Sequence, residues 1–70
     1  MDLDGNHLLK MATTKMPYGK FKGMRLIDLP EPYVVWIYTN AKPKGQLGDY
    51  ISEIYEIKLN GIEGMVKKLL

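Results

Sequence analysis

No cysteine occurs anywhere in the seventy-residue chain, and no residue spacing suits a structural zinc, so neither a disulfide nor a metal can staple the fold. A domain of this size buries only about 60% of the surface of its unfolded chain. Its stability must come from side-chain packing, helped at most by self-association. The apolar fraction of 46% supplies enough material for one core and is far from a disordered composition. Residues 1–70 are therefore expected to form a single domain, with residues 1–5 disordered.

The opening MDLDGNHLLKMATTK lacks a basic segment followed by a long apolar one, so no signal peptide is expected. There is no run of roughly eighteen apolar residues. A cytoplasmic protein that does not enter membranes is the expectation. The net charge of +2 is small, but it is unevenly spread. Lys10, Lys15, Lys20, Lys22 and Arg25 follow one another with no acid between them, and most acids come later, at Asp28, Glu31, Asp49, Glu53, Glu56 and Glu63.

Hydrophobic spacing predicts a short helix over 6–12, capped by Asn6 or Asp4, with Leu8, Leu9, Met11 and Ala12 inward. In MPYGKFKGMRL, two short apolar segments flank Gly19 and Gly23. This reads as a β-hairpin whose turn uses both glycines at positive φ. Pro17 cannot donate a ladder hydrogen bond, so its strand should lie at an edge. DLPEPYVVWIYTN predicts a helix opened by Glu31 and Pro32 and ended by Asn40 in the left-handed region. Tyr33 and Trp36 are expected in the core, Trp36 against Tyr50, Ile54 and the last helix. A long helix is predicted over 45–59, stopped by Asn60-Gly61, and a short one follows with Ile62, Met65, Val66, Leu69 and Leu70 on one stripe. That stripe would pack on the core or form the seam of a homodimer. The expected fold is α+β: a small, mostly helical domain with one short β-hairpin packed on three to four helices.

Catalysis has little to work with. The chain holds one serine, Ser52, within a helix, and one histidine, His7, read as a surface or capping residue. Asp49, Glu53 and Glu56 share a helix face and are too widely spaced for a two-metal site. GKFKGM has neither the spacing nor the hydroxyl of a phosphate-binding P-loop. A non-enzymatic protein without metal or cofactor is expected. Two readings of the basic segment then stand side by side. In one, Gly19 and Gly23 only shape a turn and the lysines guard an exposed edge. In the other, Lys15, Lys20, Lys22 and Arg25 neutralise phosphates while Phe21 or Tyr18 stacks on a base, making the hairpin a nucleic-acid contact. The alternative function is a protein-interaction adaptor, using the hairpin against an acidic protein surface or the face formed by Asp49, Glu53 and Glu56 against a basic partner.

Three segments, KMPYGKFKG at 15–23, LIDLPEPYVVWI at 26–37 and GQLGDYISEIYEIKLNGIEGMV at 45–66, resemble a bacterial family named "putative quorum-sensing-regulated virulence factor". The likeness runs from about residue 7 to residue 70. Family members often carry Phe and Tyr where this chain has Tyr18 and Phe21, and a glycine in the segment after Trp36. The name describes a regulon association, so the resemblance implies a link to virulence or quorum sensing and no mechanism. Gly19-Lys20-Phe21-Lys22-Gly23, followed by Tyr33 and Trp36, is also similar to segments appended to some exonuclease and polymerase-associated proteins, which implies nucleic acid as a ligand.

Overall fold

The computed structural model describes residues 5–70. Of the expected disorder over residues 1–5, residues 1–4 lie outside that range, as does the cap at Asp4, while Gly5 begins a helix. Helix α1 (Gly5–Thr13) is followed by a basic loop, a 3-10 turn at Leu26–Asp28, helix α2 (Glu31–Trp36) continuing into a π-helical turn at Ile37–Ala41, the long helix α3 (Gly45–Leu59) and the short α4 (Glu63–Lys67). Among the described residues no helix is long and apolar enough to cross a membrane.

No β-strand forms among the described residues, and the α+β expectation with its hairpin is corrected to a mostly helical fold. Residues 14–26 retain only one antiparallel bridge, between Lys15 and Arg25. The Leu26 N–H donates to the Thr14 carbonyl (2.9 Å) and the Met16 N–H to the Met24 carbonyl (2.9 Å). The ladder cannot grow. Pro17 brings no N–H, the Gly23 N–H turns back onto the Met16 carbonyl (2.8 Å), and beyond Arg25 the chain curls at once into the 3-10 turn.

The core joins Met11, Ala12, Met16, Leu26, Ile27, Leu29, Val34, Ile37, Tyr50, Ile51, Ile54, Ile57 and Val66. Helix α3 supplies its buried stripe at helical spacing, and α1, the 3-10 turn and α2 pack around it. Tyr50 and Ile54 belong to this core, and Tyr33 lies partly buried at its edge.

Trp36 does not. It is 55% exposed, which corrects the expectation that it packs on Tyr50, Ile54 and the last helix. Val34 and Ile37, one turn apart, are the positions α2 turns inward, and Trp36 falls between them on the outer side. Because α2 is apolar almost all round, its composition did not say which side would be buried.

Asn40 does not end this helix either. The Lys42 N–H reaches back five residues to the Ile37 carbonyl (2.8 Å), and Lys42 takes the left-handed conformation at φ 45°. Thr39 Oγ1 donates to the Val35 carbonyl (2.7 Å) and Asn40 Nδ2 to the Trp36 carbonyl (3.1 Å), side-chain bonds that add to this turn. Of the final apolar stripe, only Val66 is buried. Ile62, Met65, Leu69 and Leu70 stay exposed, Met65 at 67%.

Candidate functional site

The basic loop owes its shape to its glycines. Gly19 and Gly23 adopt φ of 83° and 89°, conformations that residues with a Cβ rarely take. Between them the Lys22 N–H donates to the Gly19 carbonyl (3.2 Å) and the Met24 N–H to the Phe21 carbonyl (3.0 Å), two successive tight turns. A Cβ at Gly19 would sit 3.1 Å from the Tyr33 hydroxyl, so this end of the loop lies directly on α2.

Phe21 completes that attachment. Its ring meets Tyr33 edge-on, with centroids 4.6 Å apart and planes at 65°, and it packs against the core. The ring expected to stack on a base is therefore occupied internally. Lys20 and Lys22, the residues on either side of it, are exposed. The Lys20 ammonium lies 5.6 Å from the Phe21 ring centroid, near enough for a cation–π contact. Lys15 is exposed because Met16, its neighbour in an extended segment, points into the core. Lys15, Lys20 and Lys22 have no carboxylate within ion-pair distance among the described residues.

Arg25 differs from these lysines. Its Nε donates to Asp28 Oδ2 at 2.7 Å, and Lys67 Nζ approaches the other Asp28 oxygen at 3.5 Å. The hydrogen bond from Arg25, supported by the positive charges of Arg25 and Lys67, holds the Asp28 carboxyl below its ordinary range, although partial burial opposes this. Lys67 also reaches Glu63 (3.7 Å), which accepts from Lys58 Nζ at 2.9 Å. Lys58 is only 6% exposed, and its ammonium donates as well to the Ile27 carbonyl (3.2 Å). The structure thus ties the loop exit, α3 and α4 together through charge pairs. Nothing in the spacing of the sequence marks Lys58 for this place, since a lysine near a helix C-terminus ordinarily reads as a solvent-exposed complement to the helix dipole.

The acidic trio does not form one open face. Glu53 Oε1 pairs with His7 Nε2 at 3.0 Å, and Asp49 and Glu53 line a cleft between α1 and α3 together with His7, Lys10 and Tyr50. Glu56 is exposed. No group of three or more His, Asp or Glu side chains among the described residues is placed to hold a metal ion.

Tyr18 (48% exposed) within the loop and Trp36 on α2 are rings open to solvent. Trp36 follows Tyr33 by three residues and so neighbours it on the helix surface. It lines a shallow depression with Glu31, Pro32, Val35, Thr39 and Asn40. No sequence signal marks the indole as exposed, since the run from Tyr33 to Tyr38 is apolar throughout and only the inward turn of Val34 and Ile37 puts Trp36 outside.

Residues 4–69 match the model of a family described as "Putative quorum-sensing-regulated virulence factor". Two curated relatives, both named "Uncharacterized protein YpeB" and found in Escherichia coli strain K12 and Escherichia coli O157:H7, are 40% identical to the chain over 68 residues. Each alignment covers 96% of this chain and 94% of the relative. No solved structure matches.

Proposed function

The chain belongs to the family described as "Putative quorum-sensing-regulated virulence factor", and from that premise we propose that it is a small non-enzymatic, cytoplasmic module that binds nucleic acid through the basic loop at 15–25. The observation that carries this reading is the set of three exposed lysines, Lys15, Lys20 and Lys22, on a loop whose backbone is pinned by Gly19, Gly23 and the Phe21–Tyr33 contact. Cations without carboxylate partners on a rigid loop can release the counterions of a phosphate backbone at little cost in ordering. Arg25 contributes less, because Asp28 already takes its charge.

Labelled oligonucleotides titrated by fluorescence anisotropy at several salt concentrations test this. Three phosphate contacts give a log–log salt slope of about −2.1 on single strands and about −2.7 on duplex. Raising salt fourfold should then weaken binding by roughly 20- to 40-fold by the same relation. The Lys20→Glu/Lys22→Glu variant should lose binding with its helical circular dichroism intact. No binding at low salt would remove the reading.

One observation favours a second reading, a protein-interaction adaptor: Ile62, Met65, Leu69 and Leu70, in and around α4, are each exposed to solvent. Binding through that surface would respond little to salt and would survive the lysine reversals.

A further inference from the structure

We propose that Trp36 is the base-stacking ring of this interface and that the nucleic acid it takes is single-stranded, an inference that rests on the basic-loop reading above. A ring is needed because phosphate contacts alone cannot tell a single strand from a duplex, whereas an unstacked base offers its flat face to an aromatic side chain. Phe21 cannot serve, since its ring is spent on Tyr33 and the core. Trp36 has no ring partner among the described residues, and more than half of its surface is open.

A chain of neighbouring residues leads from the lysines to Trp36. The Lys20 ammonium lies 5.6 Å from the Phe21 ring, Phe21 lies 4.6 Å from Tyr33, and Tyr33 and Trp36 are neighbours one helical turn apart. A strand whose phosphates rest on Lys20 and Lys22 would extend from the loop across Tyr33 to bring a base onto the indole. Glu31 lines the same depression and repels phosphate, so what enters beside Trp36 is the uncharged base. Pro32 and Val35 extend the apolar wall there, and the Asn40 and Thr39 side chains stand beside it. A duplex keeps its base faces stacked and has nothing to offer the indole.

Trp36 is the single tryptophan of the chain, so its emission reports on this site alone. The probes are an oligodeoxythymidine, an abasic sugar–phosphate oligomer of the same length and a hairpin duplex. The oligodeoxythymidine should quench the emission, while the abasic oligomer and the duplex should bind without quenching. Trp36→Ala should weaken oligodeoxythymidine binding by about 5- to 150-fold, leave abasic and duplex binding unchanged, and be largely rescued by Trp36→Phe. Salt-dependent binding of oligodeoxythymidine without quenching, or without loss in Trp36→Ala, overturns the inference and leaves the lysine reading standing. Failure of all three probes to bind at low salt removes both. Emission that shifts with protein concentration alone marks a second copy as the occupant of the indole and overturns the inference.

Discussion

The Phe21 ring stands edge-on to Tyr33, its centroid 4.6 Å away, and so joins the tip of the basic loop to helix α2. The loop is long and lacks a strand ladder, yet both of its ends and its middle are fastened: the bridge at Lys15 and Arg25, the ring contact at Phe21 and the approach of Gly19 to the Tyr33 hydroxyl. A pinned loop presents its lysines in one arrangement, which lowers the entropy that a ligand must remove.

A double-mutant cycle measures that fastening. With Phe21→Leu and Tyr33→Leu combined, the coupling energy should be about 0.5–1.5 kcal/mol in urea denaturation. A coupling near zero would mean that the two rings are neighbours without interacting.

The exposure of Trp36 has a plain consequence for stability. Trp36→Ala should change the unfolding free energy by no more than about 0.5 kcal/mol, as surface substitutions do, where a buried tryptophan would cost about 3–5 kcal/mol. Native emission should be red-shifted and open to soluble quenchers. A blue-shifted, protected emission would place the indole inside.

Two helical glycines should answer the same substitution with opposite signs. A Cβ at Gly48 would clash with the Pro43 carbonyl oxygen, so α3 can lie against the preceding connection only because glycine has a hydrogen there. Gly48→Ala should destabilise by roughly 1–3 kcal/mol. At Gly64 a Cβ meets nothing within 4 Å, and Gly64→Ala should stabilise by about 0.5–1 kcal/mol through helix propensity alone. Thermal melts of the two variants decide both.

Asp28 makes stability depend on pH at the acid end. Its carboxyl is held below the ordinary value of 3.8, first by the Arg25 hydrogen bond. A depressed folded-state value means that the stabilisation is complete above the ordinary value and disappears as pH falls through the folded one. The parent should be more stable than Asp28→Asn at neutral pH, by at most about 1 kcal/mol for a partly exposed pair. That gap should close as the carboxylate protonates in acid. A gap that persists unchanged in strong acid would assign it to packing.

The same substitution bears on binding. Removing the Asp28 charge releases Arg25 at the loop exit, so Asp28→Asn should steepen the salt dependence of oligonucleotide binding by about one phosphate contact. An unchanged slope would show that Arg25 lies off the path of the strand.

The sequence by itself determined the elements whose signals are local. Helix α3 spans 45–59 as its Leu47, Tyr50, Ile51, Ile54 and Ile57 spacing predicts, because one continuous apolar stripe leaves a single way to bury it. Gly19 and Gly23 were readable as turn positions because their lack of a Cβ is itself a backbone property. Tertiary structure decided everything that depends on direction. Whether residues 14–26 became a hairpin hung on how many ladder bonds could form past Pro17, and only one bridge did. Which ring would stay free depended on where α2 was turned. Val34 and Ile37 could be placed inward only once α3 was there to receive them, and that rotation put Trp36 in solvent and Tyr33 under the loop. Arg25 counts as a free cation in the chain and as a paired one in the fold: Asp28, three residues on, meets it at the 3-10 turn, while Lys67 reaches the same carboxylate from about forty residues away only when α4 docks. Charge and periodicity are properties of the chain, but pairing and exposure arise only when distant segments occupy the same space.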